Sequence, residues 1–298
     1  MKSIAVLSGK GGTGKSTISA SLGYILARCG FKTLLVDLDL FTHGITFYAL
    51  AQCRKKIDFT LTDLFLKTRK NMETMPQADH IPCIMVPNPF TDSNLFVLPS
   101  ISPENPDNME LQYDREFDNI SRFRVKLKKI IEQAGNKYGF EYIIIDTRGG
   151  TDHTSTGAAL TADTFIMVTE ADKPSWEMGN FLMDAIDEME IREKNDVRRA
   201  GFIINKNVLP SKSIERYLRK KWRIPHIGTI PLDRSAIRYF QENKVPVAES
   251  AACPFSREIF KIVRKIFVSE KWTDEELYEL KTLSSSGIIK MFRRMMQG

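Results

Sequence analysis

Cysteine is scarce in this sequence. The 298 residues include four cysteines, and their positions form no C-x-x-C pair: Cys29, Cys53, Cys83 and Cys253. A disulfide framework or a structural zinc site is therefore not expected. We expect the protein to reside in a reducing compartment. The sequence also lacks any apolar run of about 18 residues, the length that a membrane-spanning helix needs. The N-terminus does not resemble a signal peptide, because a glycine-rich motif begins a few residues in.

An excess of acidic residues is also missing. Hydrophobic residues make up 42% and charged residues 27% of the chain, which is ordinary for a globular protein. The formal net charge is +6, which favours an anionic partner, either nucleic acid or a lipid surface. The charge alone does not choose between these two partners.

A phosphate-binding motif stands near the N-terminus. Residues 9–17 read Gly-Lys-Gly-Gly-Thr-Gly-Lys-Ser-Thr and satisfy G-x-x-x-x-G-K-[ST]. An apolar run over 2–7 predicts a strand before the motif, and residues 16–29 predict a helix after it. In this context Lys15 is expected to reach the β- and γ-phosphates and Ser16 to ligate Mg²⁺; the alternative is a glycine-rich turn without a ligand. The residues predicted to bind the nucleotide here are Gly11, Gly12, Thr13, Gly14, Lys15, Ser16 and Thr17.

Alternating strand and helix patterns continue to about residue 268. They predict an α/β fold, a doubly wound and mostly parallel sheet with helices on both faces, as one domain over 1–268. Residues 269–286 are polar and end in a serine-rich linker. Residues 287–298 form a separate C-terminal segment.

Aspartates end two of the predicted strands, at Asp37-Leu38-Asp39 and at Asp146. Ligands in open parallel sheets bind at the carboxyl ends of the strands. Acidic groups there, behind a phosphate loop, indicate a site for magnesium and for positioning water. A lone helix cap or a solvated carboxylate is the alternative for either position.

The C-terminal segment 287–298 is amphipathic. On a helix, Ile288, Ile289, Met291, Phe292, Met295 and Met296 share one side, opposite Lys290, Arg293 and Arg294. A cationic amphipathic helix after a linker is typical of a segment that lies in a membrane interface. Packing of this helix on the protein's own core or in a partner's groove is the alternative.

The loop contains a second lysine, Lys10, and so resembles the deviant Walker A loop of MinD- and ParA-type ATPases. The resemblance implies that Lys10 reaches the nucleotide of a second subunit in an ATP-bound homodimer. It implies catalytic roles for Lys10, Lys15 and Asp39, the last orienting the attacking water. It also implies ATP and Mg²⁺ as ligands, with Ser16, Asp37 and Asp146 at the metal.

Two further segments resemble the adenine site of that family. Asn205 follows a predicted strand, and Pro231 lies in an Ile-Pro-x-Asp turn. One departure concerns the segment after Asp146, where Arg148 stands in place of the family's proline. This change leaves the hydrolysis rate and the activating partner open.

The tail and the pair Ser8-Gly9 resemble MinD-like members most. The leading hypothesis is a cytoplasmic ATPase that dimerises on ATP, binds the inner, anionic membrane surface through 287–298, and positions a cellular component. A cargo or activating protein is expected as a partner. The alternative is a ParA-type partition ATPase that binds DNA, with one candidate basic patch at Arg219, Lys220, Lys221 and Arg223. A third class, the targeting factors for membrane proteins, shares the loop but has a C-x-x-C zinc pair that this chain lacks.

Overall fold

The computed structural model describes residues 1–50, 60–62, 65, 84–85, 94–101, 119–194, 196–268 and 284–297. Within these ranges eight strands form one sheet in the order β3-β4-β2-β5-β1-β6-β7-β8. The strands are β1 (Lys2–Ser8), β2 (Thr33–Leu38), β3 (Ile84–Met85), β4 (Leu95–Leu98), β5 (Tyr142–Gly149), β6 (Thr164–Thr169), β7 (Arg198–Asn207) and β8 (His226–Pro231).

Helices connect these strands and cover both faces of the sheet. They are α1 (Lys15–Arg28), α2 (Gly44–Leu50), α3 (Ile120–Tyr138), α4 (His153–Thr161), α5 (Lys173–Glu193), α6 (Lys212–Trp222), α7 (Arg234–Gln241), α8 (Pro246–Glu249), α9 (Pro254–Val263) and α10 (Ser285–Gln297), with a π-helical turn at Arg264–Val268 after α9. None of the helices within the described ranges is both long enough and apolar enough to cross a membrane.

The sheet confirms the predicted α/β fold. Every pairing is parallel except that of β3, whose two residues run antiparallel to β4 at one edge. The central strands are buried along their length because helices lie on both sides, which explains their continuous apolar runs. Asp37 of β2 is the register partner of Asp146 of β5, so the two acidic strand ends lie side by side.

Alternation along the strands divides the core into two layers. One cluster joins Ile4, Leu35 and Ile144 to helices α1, α2, α8, α9 and α10. The other joins the opposite strand face to α3, α4, α5 and α6. Since side chains two apart share a face, Asp146 lies on the face that α1 covers. This placement sets the geometry of the site described below.

The C-terminal helix packs on the first of these clusters. Ile288, Ile289, Met291 and Phe292 are buried, and the Phe292 ring lies 5.9 Å from the Phe260 ring in a stacked arrangement. The helix begins at Ser285, two residues earlier than the predicted segment. The apolar face that suggested a lipid interface is thus covered by the protein's own core, which was the alternative interpretation.

Polar contacts also hold α10 in place. The Arg264 guanidinium donates to the Met295 sulfur at 2.9 Å, and Arg293 donates to the carbonyl of Arg28 at the end of α1. The Cys29 thiol lies beneath the helix and faces the Ile289 carbonyl at 3.8 Å. Residues 269–283 lie outside the described ranges, so the predicted linker and the boundaries of the predicted segments remain predictions.

Candidate nucleotide-binding site

The phosphate loop joins β1 to α1 at the carboxyl edge of the sheet. Gly12 and Gly14 have φ of 78° and 87°, in the left-handed region that glycine adopts without strain. Gly14 is also the N-cap of α1, so the loop leads directly into the positive end of a helix dipole. The local sequence therefore builds an anion-binding turn.

Lys15 is held inside this turn. Its side chain is 6% exposed, and its ammonium donates to the Ser8 hydroxyl at 2.9 Å. The Ser8 hydroxyl in turn donates to the Lys10 carbonyl at 2.7 Å. Burial lowers the pKa of Lys15, while the charges of Asp146, Asp39 and Asp152 act in the opposite direction. An anion in the loop would add a close charge partner for this buried ammonium.

Asp146 and two serines of α1 form the floor of the site. Ser16 Oγ donates to Asp146 Oδ2 and Ser19 Oγ to Asp146 Oδ1, both at 2.7 Å. Burial raises the pKa of Asp146 to about 6, against the effects of Lys15 and the two hydroxyls. A hydroxyl and a carboxylate are the oxygen ligands that Mg²⁺ prefers. Ser16 could hold the metal with Asp146 behind it, so these residues fit the predicted ion.

Asp37 is enclosed by hydrogen-bonding groups of the chain. It is fully buried, and its Oδ2 accepts hydrogen bonds from the Thr46 amide and hydroxyl and from the Ser100 hydroxyl. Its Oδ1 accepts from the Asp39 amide at 3.1 Å. Burial raises the pKa of Asp37 to about 7, although the Thr46 hydroxyl opposes this. Asp37 thus organises the segment after β2, and its predicted role at the metal remains a prediction.

Asp39 lies at the entrance to the site and shapes the following turn. Its Oδ1 accepts from the amides of Phe41 and Thr42, and the Thr42 hydroxyl donates to its Oδ2. Asp39 and Thr42 both line the cavity. The carboxylate is therefore near the expected phosphate position, but it is engaged in its own turn.

Lys10 sits at the rim of the site. Its ammonium lies 3.7 Å from Asp172 Oδ1, and the two side chains are 44% and 38% exposed. Asp172 is also the N-cap of α5, where it accepts from the Ser175 amide. An exposed pair of this kind contributes little stability, about 0–1 kcal/mol, so Lys10 can leave Asp172 at small cost.

The cavity has a volume of about 640 Å³. It gathers nine of the predicted residues, namely Gly11, Gly12, Gly14, Lys15, Ser16, Thr17, Asp39, Asn205 and Pro231. Four predicted residues, Lys10, Thr13, Asp37 and Asp146, are not part of its lining. The remaining wall includes apolar side chains that sequence reasoning missed, among them Ala236, Ile237, Phe240 and Phe255.

Asn205 supports the loop from the side. Its amide nitrogen donates to the Thr13 carbonyl at 2.7 Å, and the Lys206 ammonium donates to the Gly12 carbonyl. A β-carbon added at Gly14 would lie 2.4 Å from that same amide nitrogen, so the contact is close. Asn205 thus braces the phosphate loop, and its predicted pairing with adenine remains a prediction.

Comparison with known proteins gives the family. A family model described as an AAA domain matches residues 1–198. The septum site-determining protein MinD of Neisseria meningitidis serogroup B is 30% identical over 174 residues, which cover 58% of this chain and 55% of that protein. This chain belongs to the AAA-domain family of that model and, within it, to the MinD/ParA group of P-loop ATPases.

Two solved structures share the fold. MinD of Pyrococcus horikoshii OT3 in complex with Mg-ADP is 21% identical, with a TM-score of 0.64 over 89% of this chain and 95% of that chain. A plasmid partition protein from Borrelia burgdorferi B31 bound to AMPPNP is 23% identical, with a TM-score of 0.66 over 89% and 97%. The fold is therefore common to proteins of both kinds.

Proposed function

We propose that this chain is a Mg²⁺-dependent ATPase of the MinD type. The observation that carries the proposal is the convergence of Lys15, Ser16, Asp39 and the loop glycines on one cavity. A water molecule, oriented by Asp39, attacks the γ-phosphorus of ATP. The bond to the β–γ bridging oxygen breaks, ADP and inorganic phosphate leave, and the proton of the water passes to solvent. Bound Mg²⁺ would neutralise phosphate charge.

ATP-dependent homodimerisation is the second part of the proposal. Lys10 is half exposed at the rim and held by a weak ion pair, so it is available to a phosphate across an interface. A variant Lys10→Ala should keep ATP binding but lose ATP-dependent dimerisation and hydrolysis. Size measurement with and without ATP tests this; a variant that still dimerises on ATP would contradict it.

Membrane binding through 287–298 is the third part, and it requires release of α10. Four fully buried apolar side chains leave the core on release, each worth roughly 1.5–3 kcal/mol. Insertion of the same face into lipid recovers a similar term, and the basic residues add about 1 kcal/mol each on an anionic surface. The balance for one tail is therefore small, and two tails in a dimer would bind with higher avidity. ATP binding would thereby control membrane residence.

A matched pair of variants tests lipid against DNA. Lys290 and Arg294 are exposed on α10, and Arg216 and Lys220 are exposed on α6 with the same spacing. Reversing both charges to glutamate in either pair changes the net charge equally. If the tail binds membrane, the Lys290→Glu/Arg294→Glu protein should lose binding to phosphatidylglycerol vesicles with ATP, while the Arg216→Glu/Lys220→Glu protein should keep it.

The partition ATPase is the second candidate function, and the exposed basic face of α6 favours it. It predicts the reverse outcome: the α6 variant should lose binding to non-specific DNA, with a reduced dependence on salt, and the α10 variant should keep it. Vesicle binding that is equal with ADP and ATP would contradict the nucleotide-controlled membrane proposal. The cargo or activating protein is part of the proposal for either function.

A further inference from the structure

Arg148 lines the cavity at a position where the family has a proline, so the family's pattern assigns no role to this side chain. In the register between β2 and β5, Leu38 is opposite Thr147, so Asp39 after β2 and Arg148 near the end of β5 lie at the same edge of the sheet. The Arg148 side chain lines the cavity together with Lys15, Asp39 and Thr42. Its guanidinium carbon lies 4.1 Å from the centroid of the Phe41 ring. This contact joins the end of β5 to the segment after β2.

The backbone beneath Arg148 is fixed. The Arg148 carbonyl accepts from the Ser155 hydroxyl at 3.0 Å, and the Gly150 amide donates to the Ser8 carbonyl at 2.9 Å. A β-carbon added at Gly149 would lie 2.4 Å from the Gly11 nitrogen, so this backbone touches the phosphate loop. The base of the side chain is therefore held against the loop, and the long side chain is the part that can move.

Among the residues that the structure describes, none forms an ion pair with this guanidinium, which lies against the Phe41 ring. Phe41 is 40% exposed, and a cation–π contact at an exposed ring is weak. A guanidinium can instead donate two charge-assisted hydrogen bonds to a phosphate, which is a much stronger interaction. A phosphate within reach would therefore draw Arg148 away from Phe41.

We propose that Arg148 is a phosphate-contacting residue that acts within its own subunit. Its guanidinium lies against Phe41 in the structure, and it would contact the γ-phosphate of bound ATP. There it would stabilise the charge that spreads over the γ-phosphate oxygens during hydrolysis. Departure of the guanidinium also removes its contact with Phe41, which lies in the turn that Asp39 organises, so both segments would respond to the γ-phosphate together. This inference rests on the proposed ATPase function.

The experiment compares nucleotide affinities. Dissociation constants for AMPPNP and ADP, each with Mg²⁺, are measured by calorimetry for the parent and for Arg148→Gln, together with the rate of ATP hydrolysis. Loss of a charge-assisted contact to the γ-phosphate should weaken AMPPNP about tenfold and ADP less than about twofold. The hydrolysis rate should fall by roughly 10²-fold or more, as on loss of one donor to a developing charge. Arg148→Lys should recover part of both losses.

Arg238→Gln is the matched control. The Arg238 guanidinium also lies near an aromatic ring, 5.2 Å from the centroid of Tyr239, but Arg238 does not line the cavity. Its replacement should leave both affinities unchanged. Equal weakening of AMPPNP and ADP by Arg148→Gln, or no weakening of either, would overturn the inference. If the parent itself binds neither nucleotide, the proposed ATPase function fails first, so the two failures are distinguishable.

Discussion

Phe292 should control whether the C-terminal helix stays docked. The side chain is fully buried and stacked on Phe260, so Phe292→Ala removes a large apolar group and leaves a cavity. Such a replacement in a core costs about 3–5 kcal/mol. Because Phe292 is part of the contact that holds α10 on the core, this cost should favour local release of α10. At 1.4 kcal/mol per factor of ten, the released fraction should rise roughly 100- to 3,000-fold, limited by complete release.

The Cys29 thiol reports this release directly. It is buried beneath α10, and burial raises the pKa of Cys29 to about 12, so the docked protein presents a neutral, covered thiol at pH 8. With Cys53, Cys83 and Cys253 replaced by serine, the rate of reaction with a disulfide reagent measures the released fraction. The control is Met296→Ala, a half-buried position on the same helix, for which less than about a tenfold increase is expected.

A Phe292→Ala protein whose Cys29 reacts no faster than that of the parent would refute the reasoning. So would an increase matched by Met296→Ala, because the effect would then not depend on the aromatic contact. A denaturant titration separates local release from global unfolding. Release of α10 alone should accelerate Cys29 labelling at denaturant concentrations where the sheet remains folded.

The remaining predictions concern the nucleotide site. Lys15→Ala should reduce ATP affinity at least about 100-fold by calorimetry, because the phosphates lose a buried cation; affinity equal to that of the parent would rule out the phosphate-loop interpretation. Gly149→Ala should reduce nucleotide affinity or the melting temperature, because the added β-carbon would lie 2.4 Å from the backbone of the phosphate loop. A crystal structure of the variant in which the phosphate loop has not moved would contradict this. Ser19→Ala removes one of two hydroxyls from the buried Asp146 and should lower the free energy of unfolding by about 1–3 kcal/mol in urea, with Ser21→Ala as the control for a hydroxyl bonded within its own helix.

The fold and the phosphate loop could be predicted from the sequence because short, continuous stretches of residues carry the patterns that specify them. A strand, a glycine-rich turn and a helix follow one another within residues 2–28, and each obeys its own short-range pattern. The two acidic strand ends were also recognisable, since parallel strands bring their carboxyl ends to one edge. What local patterns do not contain is the set of partners that each side chain meets.

Asp37 and Asn205 show this limit. Asp37 stands two residues from Asp39, but its side chain is enclosed by Thr46 and by Ser100, which is 63 residues away in the sequence. Asn205 reaches across 192 residues to the carbonyl of Thr13. Neither contact has a periodic signal in the sequence, so the motifs that suggested a metal role for Asp37 and an adenine contact for Asn205 could not show these protein partners.

The tail shows the limit in another way. Its amphipathic pattern indicates that one face of the helix is shielded from water but does not indicate which surface covers that face. Lipid, a partner and the protein's own core satisfy the same pattern. Which of the three surfaces covers the tail depends on whether the rest of the protein presents an apolar surface to it. The ring of Phe260 is part of such a surface.

If the tail binds lipid as proposed, docking of α10 makes the strength of the membrane anchor depend on residues outside the anchor. When a segment binds only in its released form, its apparent dissociation constant is the intrinsic constant divided by the released fraction. If about 1% of the tails were free, lipid affinity would be about 100-fold weaker than that of the isolated peptide. Phe260, Arg264 and Cys29 belong to the site that retains the tail and not to the tail itself. Substitutions at these positions would therefore change the time that the protein spends on a membrane, although the sequence of the anchor stays the same.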